Sequence, residues 1–214
     1  GEIYQSTEDL RDRIPMWRGN IRSLSCTPYL VLDYVPGSTA HALLDQESGC
    51  DARFLLRVAQ QLFAALVELE DLGIVHRDIK PGNLIISDKG NAVIIDCGLA
   101  GYIDYPAGSR ELTDHGAVLG TPAYMAPEHL IASYTPKSDL WALAAVMVEL
   151  FLHRRIFAIK FPSSGAYDEM RRHKVASIKS IKAYQLCQRG LAPDIALMFK
   201  ACLHEDPDHR QRFW

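Results

Sequence analysis

The chain has 214 residues, 48% of them hydrophobic, and its 23 Lys plus Arg against 26 Asp plus Glu leave a formal net charge of -3. That length allows one to two domains, and the charge balance provides no basic footprint for nucleic acid. The longest apolar run, Leu140 to Leu152, is interrupted by Glu149 and is too short to span a bilayer.

Residues 1–28 read as irregular or partly helical, and Gly1 in place of methionine is read as a start lying further upstream. Tyr29 to Val35 reads as a buried strand ended by the Pro36-Gly37 turn. From Asp51, a good N-cap, the apolar positions Phe54, Leu55, Val58, Leu62, Phe63, Leu66 and Leu69 recur at helical spacing up to a stop at Gly73. Asn83 to Ser87 and Ala92 to Asp96 read as two strands around the turn cluster Asp88-Lys89-Gly90-Asn91. Residues 97–120, with Pro106, Ser109 and Thr113 among their glycines, read as a mobile loop. The span 138–152 reads as a helix buried on most sides, followed by helices over 167–175, 179–188 and 194–203. Many helices with a short hairpin give an α+β, mainly helical class. Five cysteines, at 26, 50, 97, 187 and 202, form no C-x-x-C pair and are odd in number. They fit neither a zinc ribbon nor a disulfide framework, and they read as reduced, buried thiols of a cytoplasmic protein.

The chemistry concentrates in residues 76–96. If Lys89-Gly90 is a two-residue hairpin loop, counting outward sets Asn83 opposite Asp96, with Cβ atoms about 4.5–5.5 Å apart. An amide oxygen and a carboxylate are hard donors suited to Mg2+, which takes few protein ligands and completes its shell with water and phosphate oxygens. Asp78 and Lys80 lie on the loop entering the hairpin. Phosphoryl transfer needs an in-line hydroxyl, an acceptor for its proton and positive charge on the moving group. Asp78 suits the second need and Lys80 the third.

The run His76-Arg77-Asp78-Ile79-Lys80-Pro81-Gly82-Asn83, with Asp96-Cys97-Gly98 after it, resembles the catalytic loop and metal-binding motif of eukaryotic-type protein kinases. Gly120-Thr121-Pro122 through Ala126-Pro127-Glu128, Ser138-Asp139-Leu140-Trp141, and Asp206 to Arg210 are similar to later motifs of that family, so the likeness runs from about Tyr29 to Arg210. It implies a remnant of the small lobe and hinge strand over 1–35. It implies a large helical lobe over 36–214, with a catalytic loop at 76–83 and an activation segment at 96–128. The implied activity is transfer of the ATP gamma-phosphate to Ser or Thr hydroxyls of a protein substrate, with ATP and Mg2+ as cofactors. Lys80 in this setting resembles the serine/threonine branch, and Thr121 matches the threonine that there bonds to the aspartate and lysine. Leu32 is implied as gatekeeper, the Asp33 carbonyl and Val35 amide as adenine contacts, and Ile85 as the pocket floor. His76 is implied to pack and hydrogen-bond, Glu128 to pair with Arg210, and Asp139 to anchor the catalytic-loop backbone; Asp139 is equally a carboxylate favoured by a helix N-terminus. Arg77, beside the aspartate, is placed to pair with a phosphate on Ser109 or Thr113.

Two features depart from the pattern. Cys97 stands where phenylalanine is usual, and no lysine precedes Lys80, nor any glycine-rich loop the hinge. Glu8 and Leu10 are the candidate relic of the helix that carries the family's paired glutamate. The expectation is therefore an N-terminally truncated kinase domain, inactive in isolation. The alternatives are a catalytically inactive kinase-like interaction module and a small-molecule phosphotransferase. The latter class lacks the Ala-Pro-Glu segment.

Overall fold

The computed structural model describes residues 2–4, 29–31, 34–47, 49–103, 120–131, 134–156 and 167–210. Two compact units divide the chain, Gly1–Val35 and Pro36–Trp214. In the first, β1 (Glu2–Tyr4) pairs antiparallel with β2 (Tyr29–Val31), so residues 1–28, read as irregular or helical, include a strand. The strand expected over 29–35 ends at Val31, and residues 34–36 carry no strand pairing. Glu8, Leu10, Leu32 and Asp33 lie outside the described residues.

In the second unit, β3 (Ser38–Thr39) leads into α1 (Ala40–Leu44), capped by Thr39 Oγ1 accepting from the Ala42 N–H. Asp51 caps α2 (Ala52–Asp71) through its carboxylate, which accepts from the Arg53 and Phe54 N–H groups. The helical spacing then buries Leu55, Val58, Leu62, Phe63 and Leu66, with Phe54 and Leu69 half-buried beside them. The partner of this stripe is α3 (Pro136–Leu152), in which every residue from Ser138 onward is buried. Such an all-round apolar helix can only be the centre of the fold. Phe199 of α6 (Pro193–Cys202) joins Phe63 in a tilted ring contact at 5.9 Å and Phe151 in an edge contact at 5.5 Å. Around this core lie α4 (Tyr167–Ser180) and α5 (Ala183–Cys187), the first longer and the second shorter than the sequence spacing implies. None of the described helices is long and apolar enough to cross a membrane.

After α2, β4 (Ile74–Val75) leads through residues 76–80 into a 3-10 turn, Pro81–Asn83, and then β5 (Leu84–Ile86). Strand β6 (Ala92–Ile94) pairs with β5, β3 pairs with β5 on the other edge, and β4 pairs with β7 (Gly101–Tyr102). The hairpin corrects the expected register. Leu84 pairs with Ile94 and Ile86 with Ala92, so Asn83 lies opposite Ile95 and not Asp96; the Ile95 N–H donates to the Asn83 carbonyl at 2.9 Å. The cause is a three-residue loop, Asp88-Lys89-Gly90, closed by the Gly90 N–H on the Ser87 carbonyl and the Ser87 N–H on the Asn91 carbonyl. Three-residue hairpin loops of this kind end in a left-handed residue, and Gly90 has φ 77°. Its position also faces the Phe54 ring and the Arg57 side chain, which a Cβ would meet at 3.4–3.5 Å.

Gly90→Ala is expected to cost about 1–2 kcal/mol, the penalty for a side chain in the left-handed region, read as a lower urea midpoint with unchanged slope. A midpoint equal to the parent's would mean that the loop does not require this backbone conformation.

Candidate active site

The turn between β4 and the 3-10 turn depends on one buried carboxylate. Asp139, in the first turn of α3, accepts the His76 N–H at 2.6 Å on one oxygen and the Arg77 N–H at 3.0 Å on the other. Burial pushes its carboxyl up to about 7, against the opposing pull of those two N–H groups and the Arg77 guanidinium. Arg77 itself is left-handed, with φ 67°. Its guanidinium is buried over the Tyr134 ring at 4.9 Å and lies where a Cβ on Gly101 would be.

His76 is fully buried. The Asp78 N–H donates to Nδ1 at 3.4 Å, so Nε2 carries the proton and donates to the Ile95 carbonyl at 3.2 Å. Both contacts suit the neutral imidazole, and burial holds its pKa below the ordinary histidine value.

Four donors converge on the Asp78 carboxylate. Lys80 Nζ reaches Oδ2 at 2.5 Å and Asn83 Nδ2 the same oxygen at 3.1 Å. The Thr121 N–H and Oγ1 reach Oδ1 at 3.0 and 3.1 Å. Asn83 Nδ2 also donates to the Asp78 carbonyl at 2.9 Å, which turns the amide's oxygen end away from Asp78. Thr121 is brought in by Gly120, at φ 106°, where a Cβ would stand 2.6 Å from the Arg77 carbonyl; a side chain at 120 would separate the two segments.

Asp96 is exposed, at φ 65°, and its Oδ1 accepts the Gly98 N–H at 3.2 Å. Cys97 is exposed, correcting the expectation of buried thiols, and Cys50 and Cys187 are only half-buried; Cys202 alone of the described cysteines is buried. Ile85 is half-buried in β5, and Val35 is half-buried within the first unit. Ser109 and Thr113 lie outside the described residues, as do Leu32 and Asp33.

Glu128 and Arg210 meet in a buried two-point pair, at 2.6 and 2.8 Å, with Ser138 Oγ donating to the same glutamate at 2.8 Å. Arg210 also donates to the His204, Lys137 and Glu205 carbonyls. This ties the 120–128 segment to the start of α3 and to residues after α6.

Two further anchors of that segment had no assignment in the sequence. Glu149, buried in α3, accepts from the Tyr124 hydroxyl at 2.8 Å and the Ile156 N–H at 2.7 Å, and Arg155 donates to the same hydroxyl at 3.0 Å. Lys174 of α4 is buried, donates to the Ala123 carbonyl at 2.5 Å and lies 5.0 Å from the Trp141 ring; burial lowers its pKa to about 7. The charge interrupting the apolar run was the visible signal for Glu149. Lys174 sits in a basic stretch where nothing in the sequence marks it off from Arg171 or Arg172.

The Asp139 carboxyl has a pH signature. The folded chain keeps this proton up to about pH 7, whereas the unfolded chain releases it near 3.8. Between those values the folded state binds more protons, so this group's contribution to stability falls as pH rises through the window. Asp139→Asn presents an N–H2 to one of the two backbone donors and is expected to cost about 1–3 kcal/mol. It also removes that slope. Urea midpoints of parent and variant across the window would reveal parallel pH dependence if the carboxyl were not the titrating group.

Comparison with known proteins agrees with this geometry. A protein kinase domain model matches residues 21–213, further in both directions than the motifs alone. The serine/threonine-protein kinase PksC of Streptomyces coelicolor is 30% identical over 189 residues, 86% of this chain and 32% of PksC. PknA of Mycobacterium tuberculosis is 35% identical over 133 residues, 62% of this chain and 30% of PknA. PknB of Mycobacterium leprae is 27% identical over 184 residues, 86% of this chain and 28% of PknB. The chain thus spans about a third of the length of these curated relatives. A carboxylate gathered by lysine, asparagine and threonine, held from below by an aspartate of a buried helix, and a family match over nearly the whole chain lead to one conclusion: this chain belongs to the protein kinase domain family.

Proposed function

We propose that the protein containing this domain transfers the gamma-phosphate of ATP to serine or threonine hydroxyls of protein substrates. The observation that carries the reading is the convergence of Lys80, Asn83 and Thr121 on the Asp78 carboxylate. Four donors fill the roughly four lone-pair positions of a carboxylate. A substrate hydroxyl can therefore bond to Asp78 only when one donor withdraws. Lys80 is the one able to do so, because its side chain is 30% exposed while Asn83 is buried in the loop. With a phosphate in reach, Lys80 turns to it and frees an Asp78 lone pair for the hydroxyl. The hydroxyl oxygen then bonds to the gamma-phosphorus, the bond to the beta-gamma bridging oxygen breaks, ADP leaves, and Asp78 takes the proton. Thr121, bonded to the other oxygen, keeps the carboxylate in position.

The family implies ATP and a divalent metal in general terms. The donor set here fits Mg2+: the oxygen end of the Asn83 amide and the exposed Asp96 carboxylate are hard oxygen donors. Among the described residues there is no cluster of three His, Cys, Asp or Glu that could hold a metal. Mg2+ neutralises phosphate charge when bound. Ile85 offers apolar surface to an adenine ring; assigning Leu32, Asp33 and Val35 to its edge rests on the sequence resemblance alone. The four described cysteines are free thiols, which supports a reducing, cytoplasmic setting. The comparisons lend no support to an inactive form, or to an interaction module without enzymatic activity.

Asp78→Asn is expected to lower transfer from radiolabelled ATP to a protein substrate at least ~100-fold, with little change in melting temperature. Retained turnover would remove Asp78 as the proton acceptor.

We also assign Arg77 a regulatory role, as partner of a phosphate on Ser109 or Thr113, Thr113 preferred. Alanine at both positions in the full-length protein should reduce activity about tenfold, the worth of one charge-assisted hydrogen bond. Unchanged activity and unchanged protease protection of the loop would count against it.

A further inference from the structure

A groove runs between α4 and the end of α6. Pro127, Trp141, Val175, Ile178 and Leu203 line an apolar cavity of about 160 Å³ within it. A wider cleft of about 500 Å³ continues along α4 past Val175 and Ala176. Its rim is basic, formed by Arg171, Arg172, Lys179 and Lys200. The acidic Glu205 also lines it, already paired with Lys179 at 3.4 Å. Among the described residues no carboxylate pairs with Arg171, Arg172 or Lys200. In a chain whose net charge is -3, this is a local concentration of unmatched positive charge over an apolar floor.

The two features together select the occupant. A bare anion would use the rim and leave the floor empty. A flat bilayer surface would meet the cations but would not enter a cavity. A peptide segment carrying carboxylates around an apolar side chain uses both, with the apolar group as buried anchor and the charges setting register and encounter rate. We propose that this groove docks an acidic protein segment, its apolar side chain lodged against Trp141 and Pro127 and its carboxylates on Arg171, Arg172 and Lys200. The exposed Lys179–Glu205 pair yields to it at little cost. The groove adjoins the candidate site's own support. Pro127 precedes Glu128, and Lys174 of the same helix holds the Ala123 carbonyl. A segment docked here is tethered beside the 120–128 segment. Its use as a substrate tether rests on the kinase reading above; the docking itself does not.

The test titrates a fluorescein-labelled peptide, glutamates flanking a central Leu-Phe pair, against the protein by fluorescence anisotropy at low and physiological salt. The same peptide with Ser-Ser at its centre, and phosphatidylserine vesicles in a sedimentation assay, run alongside. The variant is Arg171→Glu with Arg172→Glu, both exposed positions, and its melting temperature is expected to match the parent's. The Leu-Phe peptide is expected to bind the parent, and to lose at least about tenfold in affinity on the variant and when Ser-Ser replaces its anchor. With full-length protein, the variant should phosphorylate a substrate lacking an acidic segment at the parent rate. For a substrate carrying the Leu-Phe peptide as a tail, KM should rise while kcat stays level. Equal binding by the variant, equal binding of the Ser-Ser peptide, or vesicle binding without peptide binding overturns the proposal. Peptide binding with no phosphate transfer by the full-length parent leaves docking standing and overturns the kinase reading instead.

Discussion

The site rests on two hydrogen bonds from loop backbone to one buried carboxylate. Asp139 can hold the N–H groups of His76 and Arg77 only because α3 fixes it, and α3 is fixed because its whole circumference is buried. Arg77 occupies left-handed backbone, a conformation costing of order 1–2 kcal/mol for a residue with a side chain. Bonds from N–H groups to an acidic side chain in a dry interior are of the size needed to offset that. The turn they enforce buries the Arg77 guanidinium over Tyr134 and presents the Asp78 carboxylate to Lys80, Asn83 and Thr121. The apolar patterning of one helix thus sets the direction of a carboxylate on another segment.

A second layer of buried charge holds the 120–128 segment. Glu128 with Arg210, Glu149 with Tyr124, and Lys174 with the Ala123 carbonyl are three separate polar contacts along nine residues. Buried ion pairs are a weak source of net stability, since desolvation consumes most of the attraction. Their directionality is the better account. Dispersion contacts would tolerate a shift of the segment by a fraction of a turn, whereas a two-point arginine–carboxylate pair has one good geometry. Thr121 has to meet the Asp78 oxygen at hydrogen-bond distance, and that requirement is geometric.

Much of this was legible in the sequence because it follows from local rules. The Asp51 cap, the α2 stripe and the all-apolar α3 depend on composition and period alone, and each element formed where the period placed it. The loop residues 76–83 stood out because their chemical types are rare in combination. The failures share one cause, which is backbone conformation that the residue type does not announce. A two-residue and a three-residue loop both fit Asp88-Lys89-Gly90-Asn91, and both accept a left-handed Gly90; the two-residue turn would also need Lys89 left-handed, which it is not, and Ser87 pairs with Asn91 instead. The burial of Lys174 is likewise a tertiary fact. Arg171, Arg172 and Lys174 are equivalent in one dimension, and the packing of α4 alone decides which is dehydrated.

The register correction changes how Asn83 and Asp96, the pair proposed to hold a metal, have to be understood. With Asn83 opposite Ile95, strict strand alternation would turn Asp96 to the other face of the hairpin. Alternation holds only while the backbone stays extended, and Asp96 is left-handed. The direction of its carboxylate is therefore set by the turn through Cys97 and Gly98, whose N–H it accepts, and not by hairpin parity. Three described residues other than glycine have positive φ: Arg77, Asp96 and His153. His153 ends α3, an ordinary place for such a residue. The other two lie before and after the β5–β6 hairpin, Arg77 next to Asp78 and Asp96 carrying its own carboxylate. Strained backbone persists where surrounding structure over-determines it. Here the determining structure is named in each case: Asp139 for the first turn, and the Ile95 and Gly98 N–H bonds on either side of Asp96 for the second. The hairpin supplies a rigid base, and its two irregular ends do the aiming.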